Sequence, residues 1–244
     1  MLGLFIFGLF SVSLQARDDI YSENVASEAA PPSHDIWNAL LGMYVSESGA
    51  VNYKGFKQST KRLEVYLDQL AQNVPQTSWS QEEQLAYWIN AYNAFTVQLI
   101  VENYPISSIT KLNKPWDTAF ITLGGKTYSL NDIEHKVIRE QFEEPRIHFA
   151  VNCASESCPP LLNEAYTAGK LEQQLTKQTK AFLNNSKYNV LSGSSAQLSQ
   201  LFDWYKGDFT KQGSVVAFIN QYAAKPLSSG AKISYKEYDW NLNE

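Results

Sequence analysis

Two cysteines and three histidines carry much of the reactive chemistry available to this chain. Cys153 and Cys158 are separated by four residues, and the histidines are His34, His135 and His148. A thiol becomes a nucleophile only when its pKa is lowered or a base stands beside it. The run from Arg146 to Cys153 reads as a short apolar strand, and Pro159-Pro160 force a loop after it. Cys153 would then end a strand and enter a loop, where side chains are exposed on a rigid base. Strand side chains alternate faces, so His148, Ala150 and Asn152 share one face and Phe149, Val151 and Cys153 the other. Unless a bulge intervenes, His148 points away from Cys153. His135 belongs to a separate helix, with Ile138 and Arg139 on its side, and is free to approach the thiol. A Cys153–His135 pair, with Asn152, Asn90 or Asn93 supplying oxyanion or orienting hydrogen bonds, would be a thiol hydrolase or acyltransferase site. The expected substrate-binding set is Asn90, Asn93, His148, Trp88 and Arg139, and the substrate a small molecule or a peptide.

The same residues admit other chemistry. A Cys153–Cys158 disulfide would close a short loop and contribute roughly 2 kcal/mol. It would leave a non-catalytic binding or scaffolding domain. Cys153, Cys158, His135 and His148 form a possible zinc set, although Cys-x4-Cys with upstream histidines is not a strong finger spacing. Redox exchange more usually uses Cys-x-x-Cys. The thiol reading calls for no cofactor. Asp203 and Asp208 flank Trp204 and Tyr205, and a carboxylate pair beside aromatics suits sugar chemistry. The plainer alternative is a short helix whose aromatics pack while its acids cap or pair, with Arg139 and Arg146 as partners.

Several elements must position these groups. Ser80-x-x-Glu83 is a capping box, and the helix it opens should run to about Asn103, before Pro105. Leu85, Trp88, Ile89, Tyr92, Thr96 and Leu99 line one face of it. Ala86, Asn90, Asn93, Val97 and Val101 form a neighbouring stripe, so two amides sit one turn apart in apolar surroundings. Buried amides need partners; they either hold a loop by its backbone or line a polar site. Helical spacing also marks Ile36 to Tyr44, Leu63 to Leu70, Ser129 to Phe142, Thr167 to Asn184 and Ser214 to Ala224. Val51-Asn52-Tyr53 is a short strand or an extended turn. Phe120 to Tyr128 is a hairpin turning at Gly124-Gly125. Asn189 to Leu191, Leu198 to Phe202 and Ile233 to Tyr235 are further strand candidates. Helices outnumber strands, so the class is α+β: a helix-rich single domain over residues 34–244 on a small, mainly antiparallel sheet.

Composition is ordinary for a globular protein, with 44% apolar and 18% charged residues. The net charge of −5 and the absence of basic runs give no reason to expect nucleic acid. Leu2 to Leu14 is apolar, too short to span a bilayer, and of signal-peptide length, with Ala16 at the cleavage position. Residues 17–33 read as a flexible arm. No cysteine follows the run to carry a lipid, so the mature protein is expected to be exported, periplasmic or secreted, without a stable membrane anchor. Export would place both cysteines in an oxidising compartment.

Four blocks recur in a characteristic order. They are Leu85-Ala86-Tyr87-Trp88-Ile89-Asn90-Ala91-Tyr92-Asn93-Ala94; Asp132-Ile133-Glu134-His135 with Arg139; Ile147-His148-Phe149-Ala150-Val151-Asn152-Cys153-Ala154-Ser155-Glu156-Ser157-Cys158-Pro159-Pro160-Leu161; and Phe202 to Phe209 with the ending Tyr235-Lys236-Glu237-Tyr238-Asp239-Trp240. In these blocks the chain resembles Domain of Unknown Function family 547. The resemblance implies a fold and a set of characteristic residues. It supplies no reaction, so function has to be argued from the residues.

Overall fold

A computed structural model of the chain describes residues 30–211 and 213–244. The apolar run read as a leader, and most of the arm after it, lie outside the described residues. Helices α1 (Asp35–Tyr44), α2 (Tyr53–Gln58) and α3 (Thr60–Gln72) pack around α4 (Gln81–Asn103). The capping box forms: Glu83 N–H donates to Ser80 Oγ at 3.2 Å and Ser80 N–H to Glu83 Oε2 at 2.7 Å. Every residue of α4 from Leu85 to Val97 is buried. A helix apolar all round belongs at the centre of a core, which is why both of its stripes are buried between Leu85 and Val97; Leu99, further along, is only partly covered. Val51 bridges to Val45 rather than joining a sheet, and Tyr53 opens α2.

Strands β1 (Ile121–Leu123) and β2 (Lys126–Tyr128) pair antiparallel, with Ile121 opposite Tyr128. Gly124 and Gly125 take φ of +56° and +76°, as a tight two-residue turn demands. The helix expected from Ser129 starts as its sequence suggests: Asp132 Oδ2 accepts from the Ser129 amide at 2.8 Å. It is not an α-helix throughout. Asp132–Ile138 is a π-helix, in which Arg139 N–H bonds Glu134 O five residues back, and it continues as α5 (Arg139–Gln141). Such widened turns are uncommon and are frequent at functional sites.

The expected strand from Arg146 to Cys153 is not one. Pro145–Phe149 is a 3-10 turn opened by Glu144, whose side chain accepts from Arg146 N–H. Pro145 sits at its start, where the missing amide costs nothing. Ile147, His148, Phe149 and Ala150 are all buried, so the run has no exposed face and no alternation. A short apolar run is ambiguous in sequence, and here packing on all sides decided it. After a single 3-10 turn at Ala168–Lys170, α6 (Leu171–Leu183) follows.

The remaining chain makes strands β3 (Val190–Leu191), β4 (Ser195–Leu198) and β5 (Lys232–Tyr235) with helices α7 (Leu201–Trp204), α8 (Lys206–Phe209) and α9 (Val215–Tyr222). β4 pairs antiparallel with β3 and parallel with β5. The strand expected at Leu198–Phe202 ends at Leu198, and Leu201 already begins a helix. The class is α+β, with two small sheets among the described residues, of which one contains a parallel pair. No described helix is long and apolar enough to cross a membrane.

Two apolar clusters form. One gathers around α1 to α4, with Trp37, Tyr53, Phe56, Tyr66 and Tyr87 at its heart. The other is built by Phe149, Phe182, Phe202, Phe209 and Phe218. Ile147 and Ala150 belong to the first, whereas Phe149 between them inserts into the second, 5.3 Å from Phe182. The 3-10 turn therefore stitches the two clusters together, and the loop leaving it is anchored at their junction.

Candidate functional site

The cysteine loop is placed by amides. Asn93 Nδ2 donates to Ala150 O at 2.9 Å, and Asn152 N–H donates to Asn93 Oδ1 at 2.8 Å. Asn90, one turn away, clasps Tyr166 in the same manner, through its carbonyl at 2.7 Å and its amide at 3.0 Å. Both asparagines therefore hold a backbone, and neither faces the thiol. Asn152 is also structural: its Nδ2 donates to Pro159 O at 2.8 Å, and its Oδ1 accepts from Ala154 N–H at 2.9 Å. That last bond accompanies an unusual backbone. Ala154 has φ +60°, a left-handed conformation rare for a residue with a Cβ.

The turn this creates brings the two cysteines together. Both are free thiols, with their sulfurs 2.9 Å apart. Cys153 N–H donates to Cys158 Sγ at 2.9 Å, and Cys158 N–H closes the turn onto Ser155 O at 3.0 Å. Cys153 is part exposed and Cys158 is buried.

A strap from the C-terminus covers the loop. Glu156 N–H donates to Asn241 O at 2.8 Å and Ser157 N–H to Asp239 O at 3.2 Å, and Ser155 bridges to Leu242. The strap delivers Tyr238, whose hydroxyl lies 3.3 Å from Cys153 Sγ. Ser155 Oγ lies 3.2 Å from the same sulfur and donates to Tyr238 Oη at 3.0 Å. Of the two hydroxyl hydrogens, one links the oxygens and the other can face the sulfur. Hydrogen bonding with Cys158, and then with Ser155 and Tyr238, holds the Cys153 thiol below its ordinary pKa, against the effect of burial. Cys158 shifts the other way, pushed well up by burial and by the neighbouring Cys153. The arrangement separates one thiol that ionises readily from one that keeps its proton.

The histidines belong to a second cluster. Arg139 Nε donates to Asp208 Oδ2 at 2.6 Å, and His148 Nε2 lies 2.8 Å from the same oxygen. These two bonds hold the Asp208 carboxyl well below the usual range, although burial works against them. Burial lowers the pKa of His148, so at neutral pH its ring is neutral and donates through Nε2–H. Arg139 Nη1 lies 2.8 Å from His135 Nδ1. A guanidinium only donates, so His135 accepts there and, when neutral, carries its proton on Nε2. Tyr205 stacks on His148 with ring centroids 3.9 Å apart, beneath the Arg139 guanidinium. Glu134 acts on the Tyr205 hydroxyl and helps raise its pKa, and its own buried Oε1 has no hydrogen-bond partner among the described residues.

The structure thus keeps apart what sequence spacing suggested would meet. Among the described residues, no hydrogen bond joins His135 or His148 to Cys153, and the two imidazoles flank Tyr205 instead. His148 lies in a 3-10 turn, where strand parity does not apply, and its Nε2 meets Asp208. Trp88 is a core residue, edge-on to Tyr87 at 5.1 Å and Tyr128 at 5.8 Å. Arg139 serves Asp208, and Arg146 serves Glu144 and Glu172. The four residues of the zinc set are divided between the two clusters, and the described residues contain no group of three or more histidines, cysteines or acids poised around one point.

Sequence reasoning did not single out Ser155, Tyr238 or Glu134, and it read Tyr205 only as an aromatic beside the Asp203–Asp208 pair. Each stands inside one of the blocks that carried the resemblance, and that was the available signal. Residues 76–183 match the model of a family described as a protein of unknown function, DUF547. Over this region, less than half of its length, the chain is similar to that family. The matched stretch contains α4, the π-helix and the cysteine turn. Tyr205, Asp208 and Tyr238 come from beyond it, so the site is completed by chain outside the matched stretch. No curated protein and no solved structure matches the chain.

Proposed function

We propose that this domain is a thiol-dependent enzyme in which Cys153 is the nucleophile. The observation that carries the reading is the convergence of Cys158, Ser155 and Tyr238 on one part-exposed sulfur. The hydroxyl hydrogen that is left to face the sulfur, with the polar groups around it, favours the thiolate, which is the reactive form. For a peptide, amide or ester, the sulfur attacks the carbonyl carbon and the leaving group departs with a proton. Water or an acceptor then releases the acyl group from the thioester. That proton comes from solvent, because burial and the neighbouring cysteines push the Tyr238 hydroxyl well up and leave it a poor acid. His135 takes no part at the sulfur in this reading; it supports the Arg139–Asp208 cluster.

The reading includes export, supported by the apolar run at Leu2 to Leu14, and a small-molecule or peptide substrate, supported by a net charge of −5 that does not favour polyanions. It calls for no cofactor. A second reading, a non-catalytic binding domain stapled by a Cys153–Cys158 bridge, is favoured by the 2.9 Å approach of the sulfurs.

The test is the pH dependence of iodoacetamide alkylation, followed by intact mass on the reduced protein. Cys153 should react first, with a midpoint below that of an ordinary thiol, and Cys158 should react only after unfolding. Tyr238→Phe should move the midpoint up and slow alkylation at neutral pH several-fold. Incubation with p-nitrophenyl acetate should leave an acetyl adduct that Cys153→Ser abolishes. A Cys153 that alkylates no faster than Cys158 in the folded protein would remove the nucleophile and leave the stapled domain.

A further inference from the structure

The two sulfurs differ in ways that a structural bridge would not need. Cys153 is part exposed, whereas Cys158 is 4% exposed. The turn between them is already closed by Cys158 N–H on Ser155 O and by the left-handed Ala154, so the sulfurs face each other without backbone movement. The Ser155–Tyr238 hydroxyl pair leaves one hydrogen to face Cys153 Sγ, and a sulfur locked in a permanent disulfide is a poor acceptor for it. Cys158 has its own donor, the Cys153 amide at 2.9 Å, in place for the moment when it must carry charge. An accessible attacking sulfur backed by a shielded, amide-supported one is the layout of a two-step exchange centre.

We infer that Cys153 and Cys158 form a dithiol that takes a disulfide as substrate, Cys153 attacking and Cys158 resolving. The inference rests on Cys153 being the reactive thiol and goes beyond acyl transfer. In the first step the Cys153 thiolate attacks one sulfur of R–S–S–R′, the S–S bond breaks, and R′S⁻ leaves and takes up a proton. Cys153 is then joined to R in a mixed disulfide. In the second step Cys158 gives up its proton to solvent and its sulfur attacks Cys153 Sγ. The Cys153–Cys158 bond forms, the bond to R breaks, and RS⁻ departs to be protonated. Two electrons have passed from the dithiol to the substrate, which leaves as two thiols. A dithiol reductant such as dithiothreitol, running the same steps in reverse, restores the starting state.

Cys158 tunes Cys153 but does not itself react in acyl transfer, so the fate of the Cys153 adduct after its replacement separates the two chemistries. The reduced full chain is mixed with 5,5′-dithiobis(2-nitrobenzoate) or with oxidised glutathione, acid-quenched, and weighed intact. Wild type should release two thiols per chain, retain no adduct and end two hydrogens lighter. Cys158→Ser and Cys158→Ala should release one thiol and stop at a stable mixed disulfide on Cys153, whatever the change in the rate at which Cys153 reacts. Insulin as a second substrate distinguishes a polypeptide disulfide from a small one: reduction of insulin alone, of the small disulfides alone, or of both, supports exchange and assigns its source. If wild type keeps a lasting adduct on Cys153, or if the Cys158 variants resolve as wild type does, the resolving role is overturned while the nucleophile stands. If Cys153→Ser reacts like wild type, the nucleophile falls as well. Circular dichroism on each variant confirms that it is folded, and the alanine and serine variants check each other.

Discussion

Replacing Asn93 by alanine removes the clasp that fixes the approach to Cys153. Asn93 is buried, and its amide group satisfies the Ala150 carbonyl and the Asn152 amide, both of which are buried too. No water can take over at such a depth, so each orphaned backbone group costs about 1–3 kcal/mol. Two of them give about 4 kcal/mol, and the gain in helix propensity from alanine returns roughly 0.5 kcal/mol. At an m-value of about 2 kcal/mol/M, the urea midpoint should fall by somewhat under 2 M. Asn90→Ala is the matched control. It strands the amide and carbonyl of Tyr166 in the same way, so its stability cost should be similar. The two variants should differ at the thiol. Only Asn93 holds the segment that carries Cys153, so Asn93→Ala should shift the alkylation midpoint while Asn90→Ala leaves it in place. Urea unfolding combined with alkylation kinetics measures both quantities. A cost below about 1 kcal/mol for Asn93→Ala, or an equal change of thiol reactivity in Asn90→Ala, would refute the reasoning.

Asp208→Ala strips the shared acceptor from Arg139 and His148, and should cost about 3 kcal/mol at neutral pH in urea unfolding. Because the folded carboxyl titrates below its unfolded value of 3.8, this difference is full above that pH and should narrow as pH falls further. His34 hydrogen-bonds Tyr66 at 2.8 Å, and burial lowers its pKa from 6.5 to about 4. The unfolded chain then binds the extra proton between those values, so stability should fall as pH drops from 6.5 toward 4, by about 2 kcal/mol after allowing for the ring's partial exposure. His34→Gln should flatten that slope in a pH series of thermal unfolding. Gly49 has φ +84°, and a Cβ there would lie 2.3 Å from Pro160 Cβ. Gly49→Ala should therefore cost more than about 2 kcal/mol by urea unfolding, through strain and through displacement of the cysteine turn; a change within experimental error would show that the turn yields freely.

The sequence by itself determined the elements whose signals are local. The capping box of Ser80 and Glu83 located the start of α4, Gly124-Gly125 the hairpin, and the Ser129–Asp132 pair the start of the next helix. Each is decided by a few neighbouring residues, so no distant partner can overrule it. The α+β class and the family were legible for the same reason, from patterns that lie within continuous blocks. The tertiary structure alone decided the rest. The run at 146–153 carries no period that separates a strand from a buried turn, and only packing between two apolar clusters made it a 3-10 turn. The π-helix depends on one widened hydrogen-bond ring that no residue type announces. Cys153 found its hydroxyl partner in Tyr238, 85 residues away, and the histidines found Asp208 instead of the thiol. Contacts of that separation are set by how the whole chain closes on itself, and spacing along the sequence contains no record of them.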